Sequence, residues 1–162
     1  IFIIGDSYGH LELSEYNRIC GDNDGTPPVL NLNAEYKNGM FVKKFLKDYG
    51  DLVTGCHDIS DGGLLLALAE LCISNKKGMK IKLPKNTKKL KEWFFGEDQS
   101  RYLLVLNSTD DLKRIAKKNK VKISEVAIVE NTDNFIVEDN FKIPIKKLIK
   151  YNNSWYKKFV DV

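Results

Sequence analysis

Leu52-Val53-Thr54-Gly55-Cys56-His57-Asp58-Ile59-Ser60-Asp61-Gly62-Gly63-Leu64-Leu65-Leu66 is the stretch that decides the fold class. Residues 52–56 form a short apolar run and read as a strand. Ser60 then stands where a helix cap belongs, and the helix is expected to run to about Ser74. Leu64, Leu65, Leu66, Leu68, Leu71 and Ile73 make that helix apolar nearly all round, so it should be buried. A strand followed by a buried helix fits the alternation of strands and helices in a layered α/β domain.

The elements on either side fit that reading. Ile1, Phe2, Ile3 and Ile4 form a buried strand stopped by Gly5-Asp6. Residues 20–28 are turn formers and read as a loop. Residues 33–49 read as a helix, because Phe41, Phe45 and Tyr49 sit four apart and Gly50 follows. Met79, Ile81 and Leu83 alternate with lysines as in a half-exposed strand. Residues 88–95 read as a short helix, and residues 101–106 as a central strand with two apolar faces. Ser108 or Thr109 should cap a helix carrying Leu112, Ile115 and Ala116. Residues 125–129 read as one further strand. Residues 135–137 and 141–143 flank Glu138-Asp139-Asn140, a hairpin signal. The tail after Pro144 is rich in lysine and carries Trp155, Tyr156 and Phe159. Strands alternate with helices without repeat or linker, so the expected class is α/β: a mixed β-sheet packed with helices, in a single domain over residues 1–162.

The chain has 162 residues, 43% hydrophobic and 30% charged, enough to bury a core. No apolar run approaches the roughly 20 residues of a membrane helix, and the opening IFIIGD carries no cationic leader. The missing initiator Met points to a piece of a longer protein. Charge is uneven: residues 1–70 hold 5 basic and 11 acidic groups, and residues 71–162 hold 21 and 11. Only Arg18, Arg101 and Arg114 among those cations are arginines, the residue that base and phosphate readers favour, so the basic half argues for a solvated surface rather than a nucleic-acid partner. Cys20, Cys56 and Cys72 have no CxxC spacing and, with His10 and His57, make no zinc set; they fit a reducing cytoplasm.

Two segments carry residue types that chemistry uses. His57, Asp58, Ser60, Asp61, Gly62 and Gly63 fall where a strand ends and a helix begins. That junction gathers unpaired amides and the positive end of the helix dipole, and the glycines admit an anion close to the backbone. The plainer reading is a capped helix whose glycines serve tight packing. The second segment is Gly96-Glu97-Asp98-Gln99-Ser100-Arg101. Glu97 and Gln99 suit a polar ligand, and Arg101 suits a phosphate or carboxylate. Here the plainer reading is a turn before a strand, with a buried Arg that must find a partner in ligand or protein. Cys56 beside His57 makes a poor nucleophile-base pair, since adjacent strand residues face opposite ways; Cys56 is expected to be buried.

The first segment, with Ala67-Leu68-Ala69-Glu70, resembles the helix-opening motif of the C-terminal domain of the aminoimidazole ribonucleotide synthetase superfamily. Together with Phe95-Gly96-Glu97-Asp98-Gln99-Ser100-Arg101 it is most similar to the phosphoribosylformylglycinamidine synthase family. Ile4-Gly5-Asp6, Gly9-His10-Leu11, Ser14-Glu15-Tyr16, Pro27-Pro28 and Leu32 with Glu35 fit that domain's opening, while Glu12-Leu13 replaces glycines usual there. The resemblance spans roughly residues 1–130. It implies a ligase of purine synthesis that makes an amidine from formylglycinamide ribonucleotide, using ATP, Mg2+ and glutamine-derived ammonia. It implies partners as well: preceding nucleotide-binding domains of the same chain and a glutaminase subunit or domain. A piece cut from a longer protein should also expose an apolar patch where its neighbour belonged, so self-association, as in a homodimer, is expected. On the basis of the resemblance His57, Asp58, Ser60, Asp61, Gly62, Gly63, Glu97, Gln99 and Arg101 are expected to contact substrate or nucleotide phosphate. No residue is assigned a catalytic role and none a metal. The isolated domain is expected to be inactive and to bind no cofactor tightly.

Overall fold

Two apolar segments a hundred residues apart in sequence lie side by side as strands, and the first half of the fold is built around them. The structure is a computed structural model that describes residues 1–22, 24–84, 89–138 and 140–160, without the side chains of 156–158. In chain order the first elements are β1 (Phe2–Ile4), α1 (Glu15–Cys20), α2 (Leu32–Tyr49), a 3-10 turn (Gly50–Leu52), β2 (Val53–Asp58), α3 (Gly63–Asn75) and β3 (Gly78–Ile81). They are followed by α4 (Leu90–Phe95), β4 (Tyr102–Leu106), α5 (Asp110–Lys118), β5 (Ile123–Glu125), β6 (Ala127–Glu130), β7 (Asn134–Val137), β8 (Phe141–Pro144) and α6 (Ile145–Val160). The chain divides into two compact units, Ile1–Ala67 with Asn86–Glu125, and Leu68–Lys85 with Val126–Val162.

The first unit holds an antiparallel sheet in the order β2-β4-β1-β5. β4 is a central strand, as its sequence predicts, and Leu103 and Leu104 are both fully buried although they point to opposite faces. On one face, Phe2, Ile4 and Leu104 pack with Phe41, Val42 and Phe45 of α2 and Leu112 and Ala116 of α5. The four-residue spacing of Phe41, Phe45 and Tyr49 stacks their rings at 6.1 and 5.2 Å between centroids. Burying Phe45 alone contributes about 1.5–3 kcal/mol. β2 is an edge strand that alternates between half-buried and exposed, so Cys56 is exposed rather than buried as expected. The helix after β2 opens at Gly63, two residues later than a Ser60 cap predicts.

The second unit holds the sheet β6-β3-β7-β8, in which β3 and β7 run parallel and the other pairs antiparallel. Met79, Ile81, Ala127, Phe135 and Val137 are buried in that sheet, and Leu68, Ala69, Leu71, Cys72, Val126 and Ile145 are buried beside it in the same unit. The hairpin of β7 and β8 follows the sequence signal, though Asp139 at its turn lies outside the described residues. Residue 88, where the short helix before Phe95 was expected to begin, also lies outside them. The single strand expected over residues 125–129 is instead two: pairing breaks at Val126, with β5 in one sheet and β6 in the other. The Lys-rich tail is a helix, and Ile145, Leu148 and Ile149 line its inner side at helical spacing. α1 carried no periodic signal, because none of its residues is buried; the Ser14 side chain caps its start and Gly21, left-handed at φ 81°, ends it. The whole is a mixed α/β structure, the class the sequence predicts.

Candidate functional site

The turn after β2 is made by two glycines. The Ile59 N–H donates to the Arg101 carbonyl at 3.0 Å and extends the β2–β4 pairing by one bond. The chain then reverses through Ser60, whose carbonyl accepts from the Gly63 N–H at 3.1 Å. Gly62 and Gly63 both take positive φ, 78° and 67°. A side chain at Gly63 would place its Cβ 2.7 Å from the Gly96 carbonyl, so the start of α3 sits directly on the residues that end α4. That packing brings the two candidate segments together.

Two amides at this helix start are already taken within the protein. The Gly62 N–H donates to Glu97 Oε1 at 2.7 Å, and the Gly63 N–H goes to Ser60. Glu97 Oε1 also accepts the Glu15 N–H, at 2.8 Å, at the start of α1. A protein carboxylate therefore stands at the helix start where an incoming anion was expected. The reason is local: Glu97 follows Gly96 directly, and Gly96 is the residue against which Gly63 packs.

Arg101 finds its partners within the protein. It is 2% exposed, and its Nε donates to the Asp98 carbonyl at 3.0 Å, Nη2 to the Gly96 carbonyl at 2.6 Å, and Nη1 to Ser7 Oγ at 3.3 Å. Its Nη1 also lies 3.8 Å from the Asp98 carboxylate. Burial pulls the guanidinium below its ordinary value, and Asp98 and Glu97 oppose that shift. Asp98 in turn accepts three successive backbone N–H groups, from Tyr8 and Gly9 at 2.9 Å and from His10 at 3.1 Å. Gly9, at φ 81°, curls these amides around one point, which makes a backbone nest filled by Asp98.

One cavity of about 410 Å³ opens beside these contacts. Asp58, Ser60, Asp61, Glu97, Gln99 and Arg101 all line it, so the structure gathers six of the predicted residues from both segments. Asp58, Ser60, Asp61 and Gln99 are exposed, whereas Arg101 is sealed beneath. His57, Gly62 and Gly63 are absent from the lining; His57 Nδ1 is 2.6 Å from its neighbour's backbone carbonyl, and both glycines are buried. Sequence reasoning passed over Glu12, Glu35 and Asp98 as site residues, though all three line the cavity. Glu35 accepts hydrogen bonds from Ser100 Oγ and, at 3.4 Å, from the Tyr102 hydroxyl. Burial raises the Tyr102 hydroxyl above its ordinary value, and Glu35 adds to the shift. The signal for Glu35 was its place in the first turn of α2, where a carboxylate suits the helix dipole.

The lining is acidic: Glu12, Glu35, Asp58, Asp61, Glu97 and Asp98 face one cation, Arg101, which donates three hydrogen bonds within the protein. By itself this wall does not suit a polyphosphate. Among the described residues no three His, Cys, Asp or Glu side chains converge to hold a metal ion. None of the described helices is long and apolar enough to cross a membrane. The thiol of buried Cys72 is pushed up to about 12 by burial, so it is no nucleophile at neutral pH.

Comparison with known proteins gives the family and the fold. Residues 8–140 match the family model described as AIR synthase related protein, C-terminal domain. The chain is 39% identical over 163 residues to the phosphoribosylformylglycinamidine synthase subunit PurL of Bartonella henselae, covering 99% of this chain and 22% of that protein. It is 34% identical over 165 residues to the same subunit of Pelagibacter ubique, with the same coverage of each. The chain thus spans about a fifth of the length of these relatives. Among solved structures, T. maritima PurL complexed with FGAR shares the fold at a TM-score of 0.70 and 19% identity, over 91% of this chain and 27% of that one. T. maritima PurL complexed with ATP does so at 0.69 and 21%, over 91% and 25%. With its strand-to-helix glycine turn and the carboxylate-rich segment packed against it, the chain belongs to the family of AIR synthase related C-terminal domains.

Proposed function

We propose that residues 1–162 act as one C-terminal domain of a phosphoribosylformylglycinamidine synthase, the ligase that makes formylglycinamidine ribonucleotide from formylglycinamide ribonucleotide, ATP and glutamine-derived ammonia. The observation that carries this reading is the 34–39% identity to PurL subunits along 99% of the chain. The placing of both motifs on one cavity supports it. Asp58, Ser60, Asp61 and Gln99 are the side chains that face an incoming molecule, while His57, Gly62, Gly63, Glu97 and Arg101 shape the wall behind them.

The acidic lining supports a reading in which this chain forms one side of a shared cleft. The positive charge that ATP phosphates require, and the main carboxylates for Mg2+, come from preceding domains of the longer protein. An acidic wall attracts such a cationic partner surface and suits the hydroxyl and amine donors of a ribonucleotide substrate. The isolated domain is therefore inactive and holds no cofactor tightly. The working enzyme is cytoplasmic, draws ammonia from a glutaminase subunit or domain, and self-associates.

A second reading, a non-catalytic assembly module of the same enzyme, is favoured by one fact: Glu97, Asp98 and Arg101 spend their hydrogen bonds inside the protein. Turnover by the full-length protein tests the first reading. It should form the amidine and ADP from formylglycinamide ribonucleotide, MgATP and glutamine or ammonium; phosphorylation of thiamine phosphate in place of amidine formation would sink the assignment. Substitution at Asp61 separates the two readings. A loss of affinity for ribonucleotide or nucleotide favours the ligase wall, and unchanged binding favours the module.

A further inference from the structure

Residues 7–31 have almost no core of their own: among the described residues of that stretch, Ser14 is the sole buried side chain. Hydrophobic burial therefore cannot hold it, yet it supplies Glu12, Leu13, Pro27 and Pro28 to the cavity wall. Its hydrogen bonds to the rest of the first unit run largely to one short segment. Asp98 takes the amides of Tyr8, Gly9 and His10, and Glu97 takes that of Glu15. The Glu97 N–H donates to the His10 carbonyl at 2.8 Å, and Arg101 donates to Ser7. Within the stretch, Glu12 accepts from the Thr26 N–H at 2.8 Å, and His10 Nε2 lies 2.7 Å from the Thr26 carbonyl, so the far end is stitched to the near one.

We infer that Glu97 and Asp98 are positioning residues, a two-carboxylate latch that holds the described residues of the 7–31 stretch as a wall of the cavity by standing in for an anion at two sets of backbone amides. The oxygens they use differ. Glu97 engages Oε1 alone, and that atom takes both the Glu15 and the Gly62 amides. Asp98 engages both oxygens, Oδ2 with Tyr8 and Gly9 and Oδ1 with His10. A glutamine at 97 keeps its carbonyl oxygen for both donors. An asparagine at 98 must turn an NH2 group toward one donor or another. The latch thus tolerates loss of charge at 97 but not at 98, whereas residues that only contact a ligand would show no such asymmetry in the protein's own amides.

Hydrogen–deuterium exchange on the full-length protein tests this, read on peptides covering residues 8–10, 15 and 62, with α5 as internal reference. Glu97→Ala should speed exchange at Glu15 and Gly62 roughly ten- to hundredfold, the loss of a charged hydrogen bond. Glu97→Gln should stay close to the parent, and Asp98→Asn should speed exchange at residues 8–10. If Glu97→Ala also loosens α5, the contrast between Glu97→Gln and Asp98→Asn decides. Unchanged exchange in Glu97→Ala, or Glu97→Gln exchanging as fast as Asp98→Asn, overturns the latch. The inference rests on the proposed function only for what the cavity receives. Exchange reads the latch whether or not the enzyme makes an amidine, and failed turnover with the exchange pattern intact would count against the function alone.

Discussion

Residues 57–63 and residues 96–101 meet at the same cavity, and they use their polar groups in opposite ways. In the first segment Asp58, Ser60 and Asp61 stand exposed on a turn whose backbone is held by glycines. In the second, Glu97, Asp98 and Arg101 turn inward and fasten three other parts of the chain: the loop at residues 8–10, the start of α1 and the start of α3. The same residue types therefore serve contact on one side and construction on the other. What separates them is whether backbone donors lie within reach; a carboxylate next to unpaired amides in a low-dielectric setting is captured by them.

That contrast breaks most readily at Arg101. Arg101→Ala removes three donated hydrogen bonds and leaves the nearly buried Asp98 carboxylate without its cation, so it should cost about 3–5 kcal/mol in urea unfolding. Arg101→Lys should recover only part, because a point charge cannot reach the Asp98 carbonyl, the Gly96 carbonyl and Ser7 together. A cost near zero would mean that the inward segment is not structural. Next in size is Gly63→Ala, which forces a side chain into left-handed backbone and against the Gly96 carbonyl; about 2 kcal/mol of destabilisation is expected in the same measurement. The outward segment should respond least. Ser60→Ala and Asp61→Asn should each change stability by no more than about 0.5 kcal/mol, while a titration of the full-length enzyme shows weaker ligand binding. If either variant unfolded the protein like Arg101→Ala, the two segments would not differ in kind.

Much of the architecture was legible because it rests on short-range pattern. The four-residue spacing of Phe41, Phe45 and Tyr49 announced α2, the apolar run at residues 101–106 announced a central strand, and the residues flanking Glu138 announced the β7–β8 hairpin. α1 was not legible, because six residues held by a cap and a left-handed glycine leave no apolar stripe. The break at Val126 was hidden for a different reason: residues 125–129 look continuous, and only the choice of pairing partner separates β5 from β6. Cys56 was misplaced because a strand's sequence does not say whether it lies at an edge.

The sequence by itself determined the α/β class, the family resemblance and the pair of segments that meet at the cavity, since these follow from periodicity and from motifs a few residues long. Only the tertiary structure decided that Glu97 caps two helix starts, that Asp98 fills a backbone nest, and that Arg101 is spent on Gly96, Asp98 and Ser7. The physical reason is one of distance along the chain. A hydrogen bond between residue 98 and residue 9 leaves no trace in the neighbours of either, yet it determines whether a charged side chain faces a ligand or holds up the wall behind it.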